Sequence, residues 1–106
     1  MSTDPIHDKL VNDCLLELSP LGLVWCNDTP GLGFDRNGTP RQYGLAGSSD
    51  ILGVINARAI AVECKTGRSS LSTKQRRFRD AFQRAGGVFV EARSVSDLAP
   101  IKALAA

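Results

Sequence analysis

Apolar residues near the start of the chain recur at Ile6, Leu10, Val11, Cys14, Leu15 and Leu18, which is the spacing of one face of an amphipathic helix. Asp4 followed by Pro5 supplies a side-chain N-cap and a proline at the first helical position. Ser19-Pro20 ends the segment, because the residue before proline is pushed out of the α region. Leu23-Val24-Trp25-Cys26 then reads as a short strand. From Asn27 to Ser49 the chain is rich in glycine and turn residues. Asn37-Gly38 carries a type I′ hairpin signal there, with Phe34 and Tyr43 placed to anchor the hairpin on the core. A polar segment of this length is often functional.

The pattern changes at the centre. Ile51-Leu52-Gly53-Val54-Ile55 and Arg58-Ala59-Ile60-Ala61-Val62 read as two apolar strands around Asn56-Ala57, with Asp50 before them and Glu63-Cys64-Lys65 after. A two-residue loop sets Ile55 opposite Arg58 and, counting back, Asp50 opposite Glu63. Directly opposed residues have Cβ atoms about 4.5–5.5 Å apart, and like charges there repel. A three-residue loop instead sets Asp50 opposite Cys64 and diagonal to Glu63, about 7–8 Å away, still within reach of one ion. Side chains alternate along a strand, so Lys65 shares the face of Glu63. Two acids so placed need a shared proton or a cation, and we read the end of the hairpin as a cation site. The plainer reading is a polar turn ending in Asp50 and a surface ion pair between Glu63 and Lys65.

After a loop over Thr66-Gly67-Arg68-Ser69-Ser70-Leu71, Ser72 opens a helix with Gln75 in capping-box position. Phe78, Ala81, Phe82 and Ala85 form its expected buried stripe, and Gly86-Gly87 ends it. Val88-Phe89-Val90-Glu91-Ala92 is a further strand, and Ser94 with Asp97 caps a last helix carrying Val95, Leu98, Ile101 and Leu104. Two strands joined by a helix of this length imply a parallel crossover. The expectation is one α/β domain over residues 1–106, with a mixed β-sheet flanked by helices in the order α-β-β-β-α-β-α and a hairpin inserted after the first strand. Gln75 falls on the inward stripe of its helix, aimed at the sheet end that carries Lys65, although the capping box alone accounts for it. In the first helix His7 falls near the middle of the apolar stripe and Glu17 at its edge. Trp25 is expected in the core, and Cys14 and Cys26 as small packed hydrophobes.

Composition narrows the function classes. With 106 residues, 42% hydrophobic and 23% charged, the chain has the make-up of a soluble globular domain. No apolar run approaches a membrane span and no charged-then-apolar leader precedes the first helix, so a cytoplasmic location is expected. Three cysteines without a C-x-x-C pair support neither a disulfide framework nor a structural zinc site. The net charge of +2 conceals an asymmetry: residues 1–63 carry eight acids and four bases, residues 64–106 nine bases and three acids. Lys65, Arg68, Lys74, Arg76, Arg77, Arg79 and Arg84 follow the acidic pair with only Asp80 against them. A basic block beginning at an acidic site suggests a polyanion led towards it; the alternative is a solvated helix face.

Together these residues resemble the VRR-NUC domain (virus-type replication-repair nuclease) of the PD-(D/E)XK superfamily. The matching stretches are Tyr43-Gly44-Leu45-Ala46-Gly47-Ser48-Ser49-Asp50-Ile51-Leu52-Gly53, Val62-Glu63-Cys64-Lys65-Thr66-Gly67-Arg68, Leu71-Ser72 through Gln75, Phe78, Gly86-Gly87 and Arg93-Ser94-Val95. The likeness runs from Trp25 almost to the C-terminus, and the length resembles that of small stand-alone phage and prophage members. It implies a restriction-endonuclease-like core. It also implies that Asp50, Glu63 and the main-chain carbonyl of Cys64 hold Mg²⁺ or Mn²⁺, that Lys65 positions the attacking water or steadies the phosphorane, and that Gln75 supports the site. Members usually add a glutamate from the first helix; here that region reads Pro5-Ile6-His7-Asp8-Lys9-Leu10, and His7 is the nearest candidate. The resemblance further implies a homodimer acting on branched DNA such as Holliday junctions, with no small-molecule cofactor. Arg68, Lys74, Arg76 and Arg77 are the candidate DNA contacts. The expected activity is a metal-dependent endodeoxyribonuclease. Its rival is a DNA-binding or assembly module that kept the fold and lost turnover, and a restriction-like or RNA-directed nuclease is a third reading.

Overall fold

The computed structural model describes residues 4–27, 31–34, 36–43 and 45–106, without the side chains of 31–34 and 40–43. Helix α1 (Pro5–Leu18) begins where its sequence says it should: Asp4 Oδ1 accepts the N–H groups of Ile6 and His7, each at 3.1 Å, which fixes the first turn. Its inward face carries Val11, Cys14 and Leu18. Strand β1 (Leu23–Cys26) is followed by a separate hairpin, β2 (Gly31–Phe34) and β3 (Pro40–Tyr43), and then by β4 (Ile51–Ile55) and β5 (Arg58–Cys64). Helix α2 (Thr73–Arg84) leads to β6 (Val88–Ala92).

The main sheet runs β1-β4-β5-β6; β1 and β5 pair antiparallel to β4, and β6 pairs parallel to β5 through the α2 crossover. The result is a mixed α/β fold, a four-stranded mixed sheet flanked by helices. Strand β5 is central and buried from Ile60 to Cys64, as expected for a strand covered on both faces. Ile51, Ile55, Ile60, Val62 and Cys64 pack against Cys14 and Leu18 of α1 and against Leu98 and Ile101 near the C-terminus. Each such aliphatic side chain stabilises the fold by roughly 1.5–3 kcal/mol.

The central hairpin takes the two-residue loop. Ile55 pairs with Arg58, and Asn56 (φ 49°) and Ala57 (φ 67°) both lie in the left-handed region, the signature of a type I′ turn. The other expected I′ turn is absent. Strands β2 and β3 pair Phe34 with Pro40, a wider connection, and of Asn37-Gly38 only Gly38 has positive φ. The expected anchoring by Phe34 and Tyr43 lies outside the described side chains.

Four further expectations are corrected. The last helix is broken into a 3₁₀ turn (Val95–Leu98), a short α3 (Ala99–Lys102) and a second 3₁₀ turn (Ala103–Ala105), because Pro100 has no N–H to continue an α ladder. The Ser94–Asp97 capping box does form. Of the α2 stripe only Phe78 is buried; Phe82 is half-buried against Phe78 and Gly87, while Ala81 and Ala85 are exposed. Helix α2 rests on the edge strand β6, so its second half overhangs the sheet. Trp25 is 45% exposed and Cys26 exposed, since β1 is the opposite edge of the sheet. Among the described residues no helix is long and apolar enough to cross a membrane.

Candidate functional site

The site lies where the β4–β5 ladder ends. One step beyond the last pair, Ile51 with Val62, the register brings Asp50 level with Glu63. Asp50 has left the ladder but is held by three strands' worth of backbone. Its carbonyl accepts the Asn27 N–H at 2.7 Å, at the end of β1. Its Oδ2 accepts the Cys64 N–H at 2.8 Å, at the end of β5. Asn27 Nδ2 also donates to Ser48 Oγ at 2.9 Å and to the Ser49 carbonyl at 3.0 Å, shaping the turn that delivers Asp50. Gly47 in that turn (φ 77°) sits against the start of α2, where a Cβ would stand 2.4 Å from the Lys74 carbonyl oxygen.

Glu63 is only 3% exposed. Its Oε2 accepts from Gln75 Nε2 at 3.2 Å and lies 3.7 Å from Lys65 Nζ, while its Oε1 is buried without a hydrogen-bond partner. Lys65 Nζ donates in turn to Gln75 Oε1 at 2.9 Å. The Lys65 N–H bonds the Ala92 carbonyl at 3.0 Å, so β5–β6 pairing fixes the backbone under the lysine. Burial, then the charge of Asp50 and a hydrogen bond to it, raise the Glu63 carboxyl from the usual 4.5 to about 8, against the opposing pull of Lys65. Without a cation Glu63 therefore keeps its proton to higher pH than an ordinary carboxyl.

Gln75 has both roles. It closes the capping box, with Oε1 accepting the Ser72 N–H at 2.8 Å and Ser72 Oγ accepting the Gln75 N–H at 3.1 Å. Through the same amide it joins Lys65 to Glu63. The Cys64 side chain points into the core against Cys14, where that hydrogen bond and burial push its thiol up and the same bond lowers Cys14. Only the main chain of Cys64 faces the site.

Helix α1 reaches the same place from the other side. His7 Nε2 is 3.3 Å from Asp50 Oδ2 and 3.2 Å from the Cys64 carbonyl oxygen. Its position in the apolar stripe thus turns it towards the sheet end rather than into the core. Glu17 is elsewhere, paired with Lys102 at 2.7 Å.

The basic residues divide. Arg76 folds back onto its own helix start, donating to the Leu71 carbonyl at 2.7 Å and to Thr73 Oγ1 at 3.2 Å, and Arg79 pairs with Asp80 at 3.0 Å. Arg68, Lys74 and Arg77 are exposed. Lys74 and Arg77 rim a groove of about 340 Å³ whose other walls are Leu45, Ala46, Phe78 and Ala81. Arg93 was not singled out by residue type, yet it bonds the carbonyls of Gly67 (3.1 Å) and Ser69 (2.5 Å) and so holds the loop carrying Arg68. Asn27 was likewise missed. Its only sequence signal is a polar residue ending a strand, and its partners are visible only once β1 is paired with β4.

Among the described residues no group of three or more His, Cys, Asp and Glu side chains forms a metal cluster. A cation nevertheless fits what is there. Glu63 Oε1 is a buried oxygen lacking a partner, a position that costs free energy unless something positive meets it. The neighbouring donors, a second carboxylate and a main-chain carbonyl, are the hard oxygens that Mg²⁺ and Mn²⁺ prefer. No protein-family model and no curated relative matches the chain.

Proposed function

We propose that the chain is a divalent-cation-dependent endonuclease of VRR-NUC type on a PD-(D/E)XK core, hydrolysing DNA phosphodiester bonds. The observation that carries this reading is the juxtaposition of Asp50 with a buried, half-unpartnered Glu63, bridged through Gln75 to Lys65. Asp50, Glu63 and the Cys64 carbonyl would hold Mg²⁺ or Mn²⁺, which supplies a lowered water pKa and charge neutralisation at the phosphate. Lys65 places a fixed positive charge where negative charge develops. Gln75 anchors that ammonium by its carbonyl and Glu63 by its amide, so the lysine is oriented for the phosphate and the carboxylate for the cation. Asn27 and Arg93 position the two loops that flank the site.

Exposed Lys74, Arg77 and Arg68 extend the positive surface away from the acids, where a nucleic-acid backbone is steered by charge. Leu23, Trp25 and Val54 form an exposed apolar patch at the β1 edge, which supports the homodimer that branched or Holliday-junction DNA would call for. That no three side chains form a metal cluster among the described residues favours the second reading, a DNA-binding or assembly module on the same fold. One experiment separates them. Duplex, flap, single-stranded and four-way substrates are incubated with Mg²⁺ or Mn²⁺ and wild type, Glu63→Ala or Lys65→Ala. Cutting by wild type alone is expected; equal cutting by the variants, or none by wild type on any substrate, rejects the nuclease.

A further inference from the structure

His7 is the only histidine of the chain, and its place is over-determined. The Asp4 cap holds its backbone N–H at 3.1 Å in the first turn of α1. Its side chain is 26% exposed, and Nε2 faces two oxygens at once, Asp50 Oδ2 at 3.3 Å and the Cys64 carbonyl at 3.2 Å. One N–H cannot point well at both. The spacing is, however, that of neighbouring ligands on one ion. In an octahedral shell with bonds near 2.1 Å, adjacent donors lie about 3 Å apart. The two oxygens are also two of those assigned above to the cation. Among the described residues side chains alone make no cluster of three; the donors that Nε2 itself meets are one carboxylate oxygen and one main-chain carbonyl.

We infer that His7 Nε2 is itself a ligand of this site, and that an imidazole among carboxylate and carbonyl oxygens tunes it to Mn²⁺ over Mg²⁺. The inference rests on the cation reading of Asp50 and Glu63. Mg²⁺ demands hard oxygen donors and gives up water reluctantly, whereas imidazole suits transition ions. A ligating nitrogen must be unprotonated; Nε2 faces two acceptors and so carries the ring's proton before binding, and ligation moves that proton to Nδ1 as the Nε2 hydrogen bond is exchanged for a bond to the metal. The ring need move little to make that exchange.

Because there is one histidine, pulsed EPR of the Mn²⁺-loaded protein reads the bond directly. Wild type is expected to show the ¹⁴N coupling of a directly bound imidazole and His7→Gln to lose it. Calorimetry on the same proteins should find Mn²⁺ affinity lowered at least about tenfold in His7→Gln, with Mg²⁺ affinity changed far less. His7→Glu should bind Mg²⁺ more tightly than wild type and narrow the gap between the two ions. Circular dichroism confirms that each variant is folded, which the half-buried position of His7 in the capped first turn favours. Mn²⁺ bound without ¹⁴N coupling overturns the ligand assignment and leaves the cation site standing. Equal loss of Mg²⁺ and Mn²⁺ affinity overturns the selectivity. Failure of wild type to bind Mn²⁺ overturns both this inference and the cation reading beneath it.

Discussion

The backbone N–H of Cys64 donates to Asp50 Oδ2 at 2.8 Å, so the strand that carries Glu63 also dictates where the aspartate's carboxylate stands. The register that brings the two residues level is built into the main chain, and a rotamer change at Asp50 would have to give up this hydrogen bond. Glu63, raised to about 8 by burial and by Asp50, binds more protons folded than unfolded between about pH 4.5 and 8. Stability from this group is therefore full below the lower value and lost as pH rises through the upper one.

In chelator, the urea midpoint of wild type should fall relative to that of Glu63→Gln between about pH 5 and 8, and the variant should be the more stable at pH 8. Adding Mn²⁺ at pH 8 should raise the wild-type midpoint and leave the variant unmoved. Parallel pH curves for the two proteins would show that the acids are not coupled.

Gln75 gives a prediction of a different kind, because one amide serves both the helix cap and the site. Gln75→Leu should cost about 0.5–2 kcal/mol of stability, the usual range for a lost cap. It should also lower the kcat of the proposed nuclease by about 10–100-fold with little change in KM, since Gln75 holds Lys65 and Glu63. Thermal melts and single-turnover cutting measure the two effects. A change confined to stability would reduce Gln75 to a capping residue.

Local signals foretold much of this arrangement and long-range ones did not. The apolar runs on either side of Asn56-Ala57 announced a hairpin and left two loop lengths open; the pairing of Ile55 with Arg58 selects the one that levels Asp50 with Glu63. Helical spacing offered an inward-facing Gln75 and the Ser72–Gln75 motif a capping one; the structure has both. Sequence periodicity could not show that α2 overhangs β6, nor that β1 is an edge, so the buried stripe of α2 and the burial of Trp25 were misjudged. Period-2 and period-3.6 patterns report which face is apolar, while coverage of that face depends on neighbours distant in the chain. His7 shows the same limit. Its angle on the helix was readable, but the sheet end it meets was not.

Ala57 offers a test of the turn itself. It is a non-glycine residue at φ 67°, a conformation costing roughly 1–2 kcal/mol for a side chain with a Cβ. Ala57→Gly should stabilise the protein by about 0.5–1 kcal/mol, part of the relief being lost to the greater freedom of glycine when unfolded. Gly47→Ala should do the reverse. It too has positive φ, and its added methyl would meet the Lys74 carbonyl at 2.4 Å, so the turn or α2 must shift. Denaturation midpoints report both. Cutting should be unaffected in the first and impaired in the second, because the Gly47 turn leads into Asp50.

The basic surface separates by what each guanidinium already does. Arg76 is spent on the Leu71 carbonyl and Thr73 Oγ1, whereas Lys74 and Arg77 stand exposed on the rim of the groove beside the site. Each phosphate neutralised contributes about −0.9 to the slope of log K against log salt on duplex DNA. Lys74→Ala with Arg77→Ala should therefore flatten that slope by nearly two and weaken binding most at low salt, without shifting the melting temperature. Arg76→Ala should lower the melting temperature and change the slope less. Fluorescence anisotropy across a salt series gives the slopes. An unaltered slope in the double variant would remove this rim from the contact surface and direct attention to the loop at Arg68 that Arg93 holds in place.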